Sequence, residues 1–251
     1  MVFFKPFILF PLYLWPGPNA WQPLYDQIDK YPNVNFNIII NPNSGPGTSG
    51  TPPDQTWIDT IAKLNSKPNT QLLGYTHVQY GARPSTEVQS DIATYASWAQ
   101  YKPANIALDG IFFDESPSNN TPALLSYMKD LTTTARTSLK STNKRIVLNP
   151  GVAVPREYYP LADTIVGFEN YAREFDSALT SFPTNALQGP KQKTAFIIQG
   201  FGGTAAQQKQ MINAVTANNI TGIYISTTSA YDKFSRFWPQ LVAQVNGVTQ
   251  K

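Results

Sequence analysis

Eight short apolar runs recur along the chain, each followed by polar or turn residues and then, in most cases, by helix-patterned sequence. They are PFILFPLYLWP (6–16), NFNIIINP (35–42), QLLGYTHV (71–78), GIFFDE (110–115), RIVLNPG (145–151), TIVGFENY (164–171), TAFIIQGFGG (194–203) and GIYISTT (222–228). Runs of about four to eight residues, rich in β-branched and aromatic side chains and bounded by turn formers, predict buried strands rather than helices. Their apolarity is nearly continuous rather than alternating, which is the mark of parallel strands covered on both faces.

The intervening segments carry a helical period. In 85–101, Val88, Ile92, Tyr95 and Trp98 or Ala99 fall on one face. Segment 121–140 opens with Thr121 in the N-cap position and Pro122 at the first helical position. Segments 204–219 and 230–245 read as helices too, whereas VPREYYPLAD, between the fifth and sixth runs, has room only for a short one. The Pro/Gly/Ser stretch 41–54 follows a strand directly and is read as a long strand-to-helix loop, not a linker. Eight strand–helix units predict an α/β chain forming one (β/α)8 barrel over residues 1–251. An open doubly wound sheet would carry a glycine-rich phosphate fingerprint after its first strand, and LYLWPGPN stands there instead.

Composition narrows the function. The content of 41% apolar and 13% aromatic residues is that of a globular protein with a sizeable core. Charged residues make up only 14%, the net charge is +3, and the longest basic cluster, Lys140 to Arg145, is interrupted by Ser, Thr and Asn, so nucleic acid is not expected as a partner. There is no cysteine and a single histidine, His77, which removes disulfides, thiolate chemistry and a His-rich zinc site from consideration. The opening MVFFKPFILFPLYLWPGP is broken by Pro6, Pro11 and Pro16, which argues against a membrane span, and it lacks a small-residue cleavage pattern. It is read as the first strand of a mature, monomeric domain that is secreted or wall-associated, with any export signal lying outside the chain. Two acceptor sequons, Asn119-Asn-Thr and Asn219-Ile-Thr, are compatible with that setting.

Active sites of such barrels lie at the carboxyl ends of the strands. Those ends offer Tyr13 and Trp15, Asn41, Tyr75 and His77, Asp114 and Glu115, Asn149, Glu169 and Asn170, Gln199, then Tyr224 and Ser226. Alternation puts Asp114 in the mouth above Phe112, with Phe113 facing the helices. The same count sets Glu169 above Gly167 and Ile165, His77 above Tyr75 and Leu73, and Asn149 above Val147. Glu115 points outward in an ideal strand and reaches the mouth only if the chain bends.

Carboxylates on the fourth and sixth strands would flank a cleft, as glycoside hydrolysis requires: one protonates the leaving oxygen, the other attacks the sugar or activates water. Aromatic rings and amides around them suit the apolar faces and hydroxyls of a pyranose. Blander roles are open to the same residues: a loop cap for Asp114, an ion pair with Arg173 or Arg156 for Glu169, a structural place for His77. GFGGT (200–204) opens a helix and is read as a close-approach turn ahead of an anion cradle. Two other functions compete, a barrel that binds polysaccharide without cleaving it, and a hydrolase holding a divalent ion among Asp114, Glu115, Glu169 and His77. Neither metal nor other cofactor is expected.

GIFFDE, VGFENY, and PLYLWP followed by IIINPNSGPG together resemble the spherulin-4 family, over nearly the whole chain. Fungal members include secreted glycoside hydrolases that cleave galactosaminogalactan, an exopolysaccharide of galactose and partly deacetylated N-acetylgalactosamine. The resemblance implies a (β/α)8 barrel, endo-acting cleavage of α-1,4-linked N-acetylgalactosamine, and essential acidic residues at Asp114 and Glu115 in FFDE and Glu169 in GFEN. Within that frame Asp114 is expected to be the nucleophile of a retaining mechanism and Glu169 the acid/base, with Glu115 tuning charge or binding substrate. Tyr13, Trp15, Asn41, Tyr75, His77, Asn149, Gln199 and Tyr224 are expected to line the substrate site.

Overall fold

The computed structural model describes residues 5–182 and 191–249. Its eight strands are β1 (Phe7–Phe10), β2 (Asn35–Ile40), β3 (Thr70–His77), β4 (Gly110–Asp114), β5 (Arg145–Leu148), β6 (Thr164–Tyr171), β7 (Thr194–Gln199) and β8 (Gly222–Ile225). Every neighbouring pair is parallel, and β1 pairs with both β2 and β8, so the sheet closes into the expected (β/α)8 barrel. The helices α1 (Gln22–Lys30), α2 (Gln55–Asn65), α3 (Ser85–Ser97), α4 (Pro122–Ser138), α5 (Phe175–Ser181), α6 (Ala205–Ala217) and α7 (Trp238–Thr249) connect the strands, and only one turn of 3-10 helix (Arg156–Tyr158) stands between β5 and β6.

Local chemistry sets these boundaries. The Asp54 side chain accepts the amide of Trp57 to start α2 after the long 41–54 loop, and Thr121 does the same for Leu124 ahead of Pro122 in α4. On α3 the predicted stripe is buried: Val88, Ile92, Tyr95 and, in the 3-10 turn that follows, Trp98. Two elements differ from the sequence reading. The first run is strand only over Phe7–Phe10, since Pro11 and Pro16 end the ladder and leave 11–16 as loop. The segment 230–245 is helical only from Trp238, and Tyr231 lies in the preceding loop with φ +54°.

The barrel interior follows the alternation expected for β4. Phe112 stacks on Tyr75 with ring centroids 6.2 Å apart, and both Phe112 and Phe113 are buried, one inside the barrel and one beneath the helices. On β6 the expectation fails. Thr164 is in register with inward Val147, and Val166 with Ala195, but the next pair is Phe168 with Phe196, a register shift of one residue. Ile165 and Gly167 therefore face outward and do not lie beneath Glu169. A Cβ on Gly167 would stand 2.8 Å from the Phe182 ring and 2.9 Å from Thr194 Cγ2, so any larger residue at this outer position would force Phe182 or Thr194 to shift. The bulge lets two consecutive residues face the helical layer and returns Glu169 to the mouth.

Candidate active site

Asp114 and Glu169 converge on one amide. Asn149, at the end of β5 between them, donates from Nδ2 to Asp114 Oδ1 at 2.7 Å and to Glu169 Oε2 at 2.6 Å. Its orientation is set by chemistry: Gly151 N–H donates to Asn149 Oδ1 at 3.1 Å, which leaves both amide hydrogens for the carboxylates. Gly151 sits at φ +69°, a conformation glycine adopts without penalty, and its carbonyl accepts the Glu169 N–H at 2.9 Å. The sequence Asn149-Pro150-Gly151 thus orients one carboxylate's partner and anchors the strand carrying the other.

Each carboxylate has further donors. Tyr75 Oη donates to Asp114 Oδ2 at 2.8 Å. Glu169 Oε1 accepts from Tyr231 Oη at 2.6 Å and from Gln199 Nε2 at 3.2 Å, and Gln199 Nε2 also donates to Tyr231 Oη at 2.7 Å. Burial pushes the Glu169 carboxyl above its ordinary value and Asp114's negative charge adds to the rise, against the opposing pull of the Tyr231, Asn149 and Gln199 donors. The Tyr75 and Tyr231 hydroxyls are pushed upward by burial first and by the adjacent carboxylates second, so both stay protonated donors. Glu169 forms no salt bridge among the described residues, and Arg173 instead pairs with Glu174 at 3.1 Å.

The other expected residues divide. Tyr13 packs edge-on to Tyr75 and Tyr231, with centroids 5.7 and 5.9 Å away, and after burial it is the charges of Asp114 and Glu169 that raise its hydroxyl. Trp15 is exposed on the β1–α1 loop. Asn41 is committed to its own loop, where Oδ1 accepts Gly45 N–H at 3.0 Å. Tyr224 is wholly buried beneath Tyr231, ring centroids 6.2 Å apart, and its hydroxyl has no partner among the described residues, so it does not reach the cluster.

Glu115 does bend, with φ +52°, yet it leaves the pair. Its carboxylate stands 3.9 Å from His77 Nδ1 at the rim, and its carbonyl accepts Tyr80 N–H at 2.7 Å. Its charge still adds to the rise at Tyr75. Among the described residues no three Asp, Glu or His side chains are arranged to hold a metal ion. The GFGGT turn is no anion cradle, because Thr204 caps α6 and Gln207 returns the bond in a reciprocal capping box.

Sequence reasoning missed Tyr231, which it had placed on a helix. The signal was available: Pro239 belongs in a first turn, which moves the start of α7 to Trp238 and frees 226–237 as a strand-to-helix loop at the mouth.

A family model described as Spherulation-specific family 4 (Spherulin4) matches residues 7–245. Spherulin-4 of Physarum polycephalum is 35% identical over 163 residues, which is 65% of this chain and 44% of that protein, so the chain spans less than half the length of this curated relative. Among solved structures, Aspergillus clavatus Sph3 in complex with GalNAc superposes with a TM-score of 0.89 at 32% identity, covering 96% of this chain and 98% of that one. A chitinase from Bacteroides thetaiotaomicron, at TM-score 0.63 and 11% identity over 98% and 96% of the two chains, shares the fold.

Proposed function

This chain belongs to the spherulation-specific family 4, and from that premise we propose that it is a glycoside hydrolase that cleaves α-1,4-linked N-acetylgalactosamine within galactosaminogalactan by an endo-acting, retaining mechanism. The observation that carries the reading is the amide of Asn149 donating to both Asp114 and Glu169. The gap between the two bonded oxygens cannot exceed those two hydrogen bonds laid end to end. Two carboxyl groups drawn to one amide lie close together, which favours the short separation of retaining enzymes, roughly 5–5.5 Å, over the roughly 6.5–9.5 Å of inverting ones. The GalNAc bound by Sph3, a relative aligned over nearly the full length, supports the sugar.

In this mechanism Asp114, held by Tyr75 and Asn149, attacks the anomeric carbon. Glu169, whose raised pKa favours the protonated form, gives its proton to the departing glycosidic oxygen. A glycosyl ester on Asp114 forms as the C–O bond to the leaving sugar breaks. Glu169, now ionised, takes a proton from water that attacks the same carbon, and Asp114 leaves as carboxylate. Tyr231 and Gln199 stabilise Glu169 in its ionised half of the cycle. An exopolysaccharide substrate implies that the protein works outside the cell.

The test is release of reducing ends from purified galactosaminogalactan, with NMR following the anomeric configuration of the first product. New reducing ends that appear as the α-anomer are expected. Saturable binding of the polymer without new reducing ends overturns the hydrolase reading, and a β-anomer overturns retention.

A further inference from the structure

Among the described residues, the large apolar side chains that are exposed lie at one end of the barrel. They are Trp15 (56% exposed), Tyr80 (64%), Val152 (51%) and Tyr171 (40%). Trp15 follows β1, Tyr80 follows β3, Val152 follows β5 and Tyr171 ends β6, so all four stand at the carboxyl ends of the strands. Scattered exposed apolar residues need no explanation, but four from four different strand ends around one mouth do.

Their supports make two of them platforms. The Trp15 ring is backed by Gly17, where a Cβ would stand 2.5 Å from ring carbon Cζ3, so any larger residue would displace the ring. Tyr80 is held out by strained backbone: Gln79 and Tyr80 are both left-handed, at φ +48° and +54°. The turn is fastened by Tyr80 N–H to the Glu115 carbonyl (2.7 Å), Gly81 N–H to that of Val78 (2.9 Å), and Arg83 Nη1 to that of His77 (3.0 Å). Strain over-determined by its surroundings concentrates at functional positions. Tyr80 makes no side-chain hydrogen bond among the described residues, so the turn's evident product is the ring itself. Tyr171 is already capped by Arg173, whose guanidinium lies 4.4 Å from its ring centroid, and it forms wall rather than platform.

We infer that Tyr80 and Trp15 form outlying sugar subsites, so that the mouth takes the interior of a pyranose polymer, with units bound on the β3 and β1 sides beyond those at Asp114 and Glu169. Rigid, solvent-facing aromatic rings give contact area at small entropic cost, which suits the apolar face of a sugar ring. The inference rests on the hydrolase reading for its substrate, since it extends the same cleft.

The decisive measurement compares kcat/KM on the galactosaminogalactan polymer with kcat/KM on a tetrasaccharide prepared from it. Tyr80→Asn removes the ring while keeping a residue that tolerates the left-handed backbone. It is expected to lower the polymer-to-tetrasaccharide ratio about tenfold, through KM, as loss of one stacking contact would. Tyr80→Phe keeps the ring and should restore the wild-type ratio. Trp15→Ala should act in the same direction. A ratio unchanged in Tyr80→Asn, or one that Tyr80→Phe fails to restore, overturns the inference. Should the wild type release no reducing ends, the hydrolase reading falls alone. The subsites are then judged by gel retardation in the polymer, where Asp114→Asn and Asp114→Asn/Tyr80→Asn migrating alike overturns them.

Discussion

The ends of β4 and β6 deliver the same chemical group to the same amide by different means. On β4, regular alternation carries Phe112 into the core and Asp114 into the mouth. On β6, alternation alone would turn Glu169 toward the helices, and a one-residue bulge at Gly167 corrects the direction. The regular strand end leaves Asp114 with two side-chain donors, Tyr75 and Asn149, whereas the bulged one sets Glu169 among three and under enough burial to raise its pKa. The two carboxylates therefore acquire unequal surroundings from unequal backbones, and the rise at Glu169 is what an acid/base partner to a separate nucleophile requires.

The comparison breaks most sharply at the carboxylates themselves. Asp114→Asn and Glu169→Gln should each cut reducing-end release by roughly 100-fold to 10,000-fold, while circular dichroism and melting remain those of a folded barrel. Near-wild-type turnover in either variant would sink the assignment. Next in size is Tyr231→Phe, which removes a hydrogen bond to a charged acceptor and should slow turnover roughly 10-fold to 100-fold. That bond favours ionised Glu169, so its loss raises the pKa further. Because the general acid must be protonated, the alkaline limb of the pH–rate profile should move to higher pH in Tyr231→Phe. A limb that stays put or moves to lower pH would remove Tyr231 from the acid's environment.

Gly167 tests the bulge. Alanine there meets Phe182 and Thr194, and overpacking of this kind costs about 1–3 kcal/mol. The expected result is a melting point lowered by about 2–4 °C per kcal/mol, with activity falling further than stability accounts for as Glu169 loses its aim. A melting point and kcat both equal to wild type would show that the bulge is not held by this glycine.

What could be read beforehand divides along the same line. Eight both-faces-buried strands, the Thr121–Pro122 helix start and the inward turn of Asp114 follow from residue pattern, because regular structure repeats its period. Glu169 was found by its place after an apolar run, but the residues beneath it were misassigned, since a bulge shifts the period by one without changing composition. Tyr231 was lost for a related reason: its segment has helical-looking spacing, and only Pro239 marks where the helix begins. Glu115 was correctly tied to a bend, yet the left-handed backbone carries it to His77 at the rim and not into the pair. Irregular backbone is where this site is built, and side-chain periodicity carries least information there.

The smallest expected effect separates the stability of Glu169 from its function. Its folded-state pKa lies above the ordinary value, chiefly through burial, so the ionised carboxylate is less favourable in the folded protein than in the unfolded chain. The contribution of Glu169 to stability is therefore fully present below the unfolded value, about 4.3, and is lost as pH rises through the folded pKa. Glu169→Gln keeps the side-chain shape and removes the titration. At pH 7 the variant should melt above the wild type even though it is inactive, and the difference should shrink toward zero below about pH 4. Asp114→Asn, whose partner charge contributes to the rise at Glu169, should weaken the pH dependence of the wild-type background in the same experiment. A Glu169→Gln melting point that falls below wild type more at pH 7 than at pH 4 would mean that the three donors outweigh burial, and Glu169 would then be the ionised member of the pair.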